Sequence, residues 1–258
     1  MQLSLRQQHI MERARLDGNV TVDALVQAFD VTPQTIRRDL NALCSSKLLV
    51  RAHGGAILAS GTENVEYEQR KALFSDEKQK IGELCASHIP DNSSLFINIG
   101  TTTEAVARAL LQHRNLMVVT NNLNVANILL QNASFEIIIA GGVLRHRDQG
   151  ITGEATIDFM KQFKLDFAVI GTSALDDQGA LLDFDYREAR VTQAILGNAR
   201  KRFLVSDKGK LERTAPVRVA HVSQLTDVFM DACDSNALAT VCHDHQINLH
   251  TVQNQNHD

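Results

Sequence analysis

No apolar run in this 258-residue chain approaches the ~20 residues that span a bilayer, and its first residues lack the apolar core of a secretory leader. A membrane partner is therefore not expected. The four cysteines, Cys44, Cys85, Cys233 and Cys242, form no Cys-x-x-Cys pair, and each reads as a small buried residue in a reducing, cytoplasmic setting. There is no Gly-x-x-x-x-Gly-Lys-Ser/Thr, and no Gly-x-Gly-x-x-Gly follows a strand, which excludes an ATP-type phosphate loop and a dinucleotide site. No cofactor is implied, and no metal either. His243 and His245, with Cys242 and His250, occupy adjacent and i+2 positions that do not converge on one ion. An excess of positive charge is also missing. The formal net charge of −4 excludes a protein coated over its whole surface by nucleic acid.

The charge is unevenly placed. Residues 1–58 carry 7 Lys/Arg and 5 Asp/Glu, so the net is +2 there and −6 over the remaining 200 residues. Any contact with DNA is thereby confined to the N-terminal part. That part holds the most informative run of the chain, Val31 to Leu40. Thr32 is a helix-capping type, and Pro33 suits the first helical position, where its missing N–H costs nothing. Ile36, Leu40 and Leu43 recur at helical spacing as one apolar stripe. Gln34, Arg38 and Asn41 point the opposite way, with Arg37 on the flank and Thr35 beside them. Such a helix suits a DNA major groove, although a solvated amphipathic helix would show the same stripe.

The flanks favour DNA. Thr21 can cap a helix over residues 22–30, and only Val31-Thr32 separates it from the next, as in a helix-turn-helix. An earlier helix over 5–16 carries Ile10, Met11 and Ala14. Downstream, residues 48–53 read as a strand, Gly54-Gly55 as a turn and 56–58 as the returning strand, a basic wing bearing Arg51 and His53. The polar stretch 59–74 reads as a linker and 253–258 as a disordered tail.

From Ser75 to residue 252 the pattern alternates. Apolar runs at 95–99, 116–120, 135–140, 167–170, 203–205, 228–230 and 247–249 predict strands. Amphipathic runs at 104–113, 123–131, 155–162, 186–198 and 235–244 predict helices after a first one starting at Ser75. This is an α/β plan, a mostly parallel Rossmann-like sheet covered on both faces, with ligands expected outside the carboxyl ends of its strands. Three of those ends suit an anion. Gly100-Thr101-Thr102-Thr103 precedes a helix opening at Glu104, Thr120-Asn121-Asn122 precedes another, and Gly141-Gly142 is followed by Arg145. Each turn alone would also pass as an ordinary cap. Asp185, Tyr186 and Glu188 can accept hydroxyls and Lys210 can neutralise phosphate, whereas Asp183 and Lys208 read as a helix-start acid and a solvated lysine.

The run Val31 to Leu40, followed by Arg51-Ala52-His53-Gly54-Gly55-Ala56, resembles the N-terminal signature of the DeoR family of bacterial sugar-metabolism regulators. Ile99-Gly100-Thr101-Thr102, Thr120-Asn121, Gly141-Gly142, Gly153-Glu154, Asp185-Tyr186 to Glu188, and Asp207 with Lys210 resemble motifs of that family's sensor domain, so the resemblance spans about residues 5–250. It implies a winged helix-turn-helix joined to a ribose-5-phosphate isomerase-like domain that binds a phosphorylated effector. On that basis Gly100, Thr101, Thr102, Thr103, Thr120, Asn121, Gly141, Gly142, Arg145, Glu154, Asp185, Tyr186, Glu188 and Lys210 are effector candidates. Variants such as Thr120-Asn121-Asn122-Leu123-Asn124 and Phe184-Asp185-Tyr186 resemble a branch concerned with glycerol 3-phosphate, which implies that ligand. The lysine loop departs from the family, which more often flanks its lysine with Ser and Phe.

The expectation is a repressor of a sugar or glycerol catabolic operon, bound to double-stranded operator DNA as a homodimer or homotetramer. An isomerase-like enzyme is the alternative, but it needs a general base. The turn Gly171-Thr172-Ser173 lacks the acids that the similar isomerases use there.

Overall fold

Side chains that satisfy helix starts lay out the first unit. The computed structural model describes all residues except 1, 2, 18, 47, 53, 59–66, 73, 212, 234 and 253–258, and it leaves aside the side chains of 15–17, 19, 50–52, 57, 58, 68, 69, 72 and 236. Helix α1 (Leu5–Asp17) buries Ile10, Met11 and Ala14 on one face. Strand β1 (Asn19–Thr21) leads to α2 (Val22–Phe29), which Thr21 caps by accepting from the Ala24 amide at 3.2 Å. Asp30 then turns left-handed at φ 50°, and Thr32 caps α3 (Pro33–Ser45). Ile36, Leu40 and Leu43 are fully buried against Leu25 and Leu49, as the helical stripe requires.

The wing differs from the sequence expectation. Strands β2 (Leu49–Ala52) and β3 (Gly55–Leu58) pair antiparallel with Ala52 opposite Gly55, so Gly55 belongs to the strand and not to the turn. Gly54, at φ +75°, is the turn glycine. Strand β1 adds to the far side of β3, giving the order β1-β3-β2. Three residues are too few to show a period, which is why β1 was not legible. A Cβ on Gly55 would lie 2.0 Å from the Val20 carbonyl oxygen, so β1 approaches where a side chain has no room. A helix α4 (Tyr67–Ala72) occupies part of the stretch read as linker, while 59–66 and the tail 253–258 lie outside the described residues.

The chain divides into two compact units, Met1–Ala72 and Leu73–Asp258. In chain order the second contains α5 (Ser75–Ala86), β4 (Ser94–Ile97), α6 (Thr101–Ala109), β5 (Met117–Thr120), α7 (Leu123–Leu129), β6 (Glu136–Ile139), β7 (Val143–Leu144), β8 (Ile151–Thr152) and α8 (Glu154–Met160). There follow β9 (Leu165–Ile170), β10 (Ala174–Leu175), β11 (Ala180–Asp183), α9 (Tyr186–Gly197), β12 (Ala199–Ser206), β13 (Val217–His221), β14 (Asp227–Met230), α10 (Asn236–Asp244) and β15 (Asn248–Thr251). All seven expected strands join one parallel sheet, ordered β15-β14-β12-β9-β4-β5-β6. Two smaller sheets, β7-β8 and β10-β11-β13, are additions built from strands of two to five residues.

Alternation along the strands gives the sheet a core on each face. Phe96, Ala168, Leu204 and Val228 meet α8, α9 and α10 on one side. Leu95, Ile97, Phe167, Phe203 and Phe229 meet α5, α6 and α7 on the other. Each fully buried phenylalanine contributes roughly 1.5–3 kcal/mol of transfer free energy. The chain first builds outward from β4 through β5 to β6, then returns to β9 and builds the other way. In open α/β sheets a reversal of this kind, here between β4 and β9, marks the carboxyl-end crevice where ligands bind.

Replacing Gly55 with Ala is expected to destabilise the unit 1–72 by about 1–3 kcal/mol, the usual cost of forced overpacking, and urea unfolding followed by helical signal measures it.

Candidate functional site

In the first unit the outer face of α3 is set by what lies behind it. Thr32 Oγ1 accepts from the Thr35 amide at 3.3 Å and lies 3.0 Å from Thr35 Oγ1, so both hydroxyls serve the cap. Asp39 is buried and accepts from Arg6 Nε at 2.6 Å and Gln7 Nε2 at 3.2 Å, which fastens α3 to α1. With the apolar stripe and Asp39 turned inward, Gln34, Arg37, Arg38 and Asn41 are exposed together on the outer face. Of the two wing residues expected to touch DNA, Arg51 lies in β2 with its side chain outside the described set, and His53 lies outside the described residues altogether.

In the second unit the helix after β4 begins earlier than expected, at Thr101 and not at Glu104. The threonines are therefore its first turn. Gly100 precedes it at φ 152°, a backbone angle that favours glycine, and no side chain caps this helix start. Thr103 Oγ1 donates to the Asn98 and Gly100 carbonyls, whereas Thr101 and Thr102 are buried in the first turn of the helix, beyond the carboxyl end of β4. First-turn amides have no acceptor within the helix, so an anion is the natural partner here.

Beside it, after β5, Thr120 donates to the Ile97 carbonyl and accepts from the Asn122 amide, and Asn122 caps α7. These two side chains build the loop. Asn121 differs. It is fully buried, its Nδ2 donates to the Ile151 carbonyl, and its Oδ1 has no hydrogen-bond partner. Asp207, after β12, likewise holds a buried Oδ1 without a partner. Lys210 follows in the same short turn, and Lys208 is exposed as expected.

The candidate Arg145 is placed otherwise than its role required. Its guanidinium donates to Asp148 (2.7 Å) and Asp185 (2.9 Å) and pairs with Glu188 (2.7 Å). Burial alone would lower its pKa, but Glu188 and Asp148 outweigh that and hold it charged. Three carboxylates already neutralise this arginine, so it does not stand open to a phosphate. It fastens the β7-β8 hairpin to the start of α9 instead. Asp183, read as a helix-start acid, is buried and accepts from the Phe184 and Asp185 amides. Glu188 is pushed up to about 7, by burial first and by Asp183 second, against the pull of Arg145.

Other candidates serve packing or the surface. A Cβ on Gly142 would fall 2.1 Å from Thr156 Oγ1, and that hydroxyl donates to the Gly141 carbonyl, so the glycine pair seats the chain against α8. Glu154 and Tyr186 are exposed and share Arg190, apart from the crevice. Asp148, Glu104 and Asn98 were not foreseen. Glu104 accepts from Asn124 at 3.2 Å and joins the loops after β4 and β5. Asp148 sits three residues from Arg145, a spacing that could have signalled it.

Residues 6–62 match the model of the DeoR-like helix-turn-helix domain, and residues 74–232 match that of the DeoR C terminal sensor domain. The chain belongs to the DeoR family. Among relatives, the glycerol-3-phosphate regulon repressor of Escherichia coli (strain K12) is 48% identical over 96% of this chain and 99% of its own. The protein of that name in Haemophilus influenzae is 50% identical over 89% of each chain. The HTH-type transcriptional repressor CsqR of E. coli (strain K12) is 41% identical over 90% of this chain and 89% of its own. Among solved structures, ribose 5 phosphate isomerase A from Neisseria gonorrhoeae overlaps 54% of each chain at 11% identity and a TM-score of 0.39. Within the DeoR family frame, α3 falls in the first matched domain and the crevice wholly in the second.

A carboxyl with a pKa higher folded than unfolded binds its proton more tightly when folded. Glu188 therefore adds stability as pH falls from about 7 towards the ordinary value of 4.5 and withdraws it as pH rises. Glu188→Gln is expected to raise the melting temperature relative to the parent at pH 8 and to match it near pH 5. Melting curves of both proteins across that range check it.

Proposed function

We propose that this protein is a DNA-binding repressor of a glycerol catabolic operon, and that a phosphorylated metabolite, glycerol 3-phosphate, releases it from its operator. The observation that carries the DNA part is the outer face of α3. Gln34, Arg37, Arg38 and Asn41 are exposed along a capped helix whose back is buried and whose orientation Asp39 fixes. Arginine and glutamine read guanine and adenine edges in the major groove, while helix termini and the wing meet phosphates. The names carried by the relatives support repression and the glycerol link.

The effector reading rests on the start of α6. Its first-turn amides, with Thr101 and Thr102, would take the phosphate, and Asn121 Oδ1, one strand away, would accept a hydroxyl of the polyol. Asp207 and Lys210 stand two strands from β4, roughly 10 Å across the crevice, and would close its opposite wall. Of the remaining candidates, Asp185 and Glu188 act through Arg145 to hold the hairpin. An isomerase would want a base such as Glu188, but Arg145 holds that carboxylate, and the turn after β9 offers no acid.

One winged domain covers little DNA, so useful affinity requires paired domains on two half-sites, in a homodimer or homotetramer. The effector acts if it binds the DNA-free arrangement more tightly, and a coupling of about 1–3 kcal/mol gives useful switching.

The test begins with an operator selected by the protein from random duplexes, then titrated with glycerol 3-phosphate beside hexose, pentose and ketose phosphates. Release by glycerol 3-phosphate alone is expected, and undiminished DNA affinity at saturation with every compound would refute the sensor. Arg38→Ala should weaken the specific complex at least tenfold with an unchanged melting temperature. Lys210→Ala should bind operator like the parent in gel-shift titrations yet need several-fold more effector for release.

A further inference from the structure

Strand β6 ends the parallel sheet, and its outer backbone groups have no partner strand among the described residues. The Glu136 and Ala140 amides donate inward, to the Leu116 and Thr120 carbonyls of the β5 side. Strand alternation then turns the N–H and C=O groups of Ile137 and Ile139 outward. Natural edges are often blunted by lysine, proline or a bulge, and the residues of β6 include none of these. Its sequence Glu-Ile-Ile-Ile is the kind that invites another strand.

The surface around this edge is apolar as well. Among the described residues of the second unit the exposed large hydrophobic ones are Leu130, Ile139, Val143, Leu144 and Tyr186, and Ile139 lies in β6 itself. Ile139 is 44% exposed and Val143, just past the glycine pair, 64%. Leu130 ends the helix that feeds β6. An exposed isoleucine within an unpaired edge strand is apolar surface of the kind another strand covers.

We propose that β6 is a dimerisation edge, at which a second copy of this chain adds its own β6 antiparallel across a two-fold axis at Ile138. Charge selects this occupant. Glu136 is the one charged residue between Phe135 and Leu144, in a unit whose net charge is negative, so a basic or acidic peptide finds little to pair with. A copy laid antiparallel puts Glu136 opposite Ala140 of its mate. The two carboxylates then stand roughly 14 Å apart, beyond the screening length of physiological salt. A parallel copy would set them side by side.

The outward groups also fix the register. Ile137 and Ile139 of one copy exchange hydrogen bonds with Ile139 and Ile137 of the other, four bonds in all by the antiparallel pattern. Ile138 faces its own copy as the non-hydrogen-bonded pair, with Cα atoms about 4.5 Å apart, within the range a disulfide spans. Ile137 has no such self-pair. The resulting sheet would run unbroken through fourteen strands, and the inference stands on the fold alone, whatever the effector is.

The experiment uses the full chain in two ways. Ile139→Lys adds an edge-protecting charge at an exposed position and is expected to halve the mass seen by sedimentation, with effector binding and circular dichroism retained. Ile138→Cys, oxidised with copper phenanthroline in air, is expected to yield a covalent dimer at least tenfold faster than Ile137→Cys or the parent with its four cysteines. A parent that sediments as a monomer, an unchanged mass in Ile139→Lys, or equal crosslinking by Ile138→Cys and Ile137→Cys would each overturn the proposal. Failure of effector release in the operator titration would leave these results standing, so the two readings fail separately.

Discussion

An α-helix leaves its first amides without acceptors, and this molecule depends on how each such start is met. At α2, α3 and α7 a side chain meets it: Thr21, Thr32 and Asn122 accept from the amides two or three residues on. Such caps are each worth about 1 kcal/mol and fix where the chain turns. At α6 the cap position is Gly100, which has no side chain to offer. The starts of α5 and α8, at Phe74 and Gly153, also lack a side-chain cap, but only α6 opens directly from the carboxyl end of the central strand β4.

A second constraint follows from the cost of burying charge. Arg145 is held by Asp148, Asp185 and Glu188, and the surplus of acid over base is relieved by raising the affinity of Glu188 for a proton. Such a cluster contributes less net stability than its contact distances suggest, because desolvation offsets attraction. Its value lies in geometry. It ties two short strands, β7 and β8, to α9, and those strands have too few backbone bonds to place themselves.

The legibility of the sequence divides along the same physical line. Ile36, Leu40 and Leu43, or Leu95 and Ile97 within β4, repeat at a period that burial imposes, and all of them are buried as read. The seven strands and the helices between them were legible for this reason. Strands β1, β7 and β10, of three residues or fewer, are too short to carry a period and depend on tertiary contact, as the close approach of β1 to Gly55 shows. In the crevice, residue type predicted which turns matter but not which atoms are already engaged. Thr120, Thr103 and Arg145 have the right chemistry for a ligand, yet each is engaged with the protein itself. Asn121 kept an acceptor in reserve, and only coordinates distinguish it from Asn122 beside it.

The reversal of strand order beside β4 also sets a timetable for folding. Strand β4 pairs with β5 across one short helix, but its other neighbour, β9, joins at Leu95 and Phe167, about 70 residues later in the chain. Pairings of such long sequence separation form slowly, because loop closure must precede the contacts that reward it. The residues 1–72 pack largely through neighbours near in sequence. On a ribosome the α3 face is therefore complete while the central strand of the sheet still lacks its second partner. The outer face of α3 exists before the sheet of the second unit is closed.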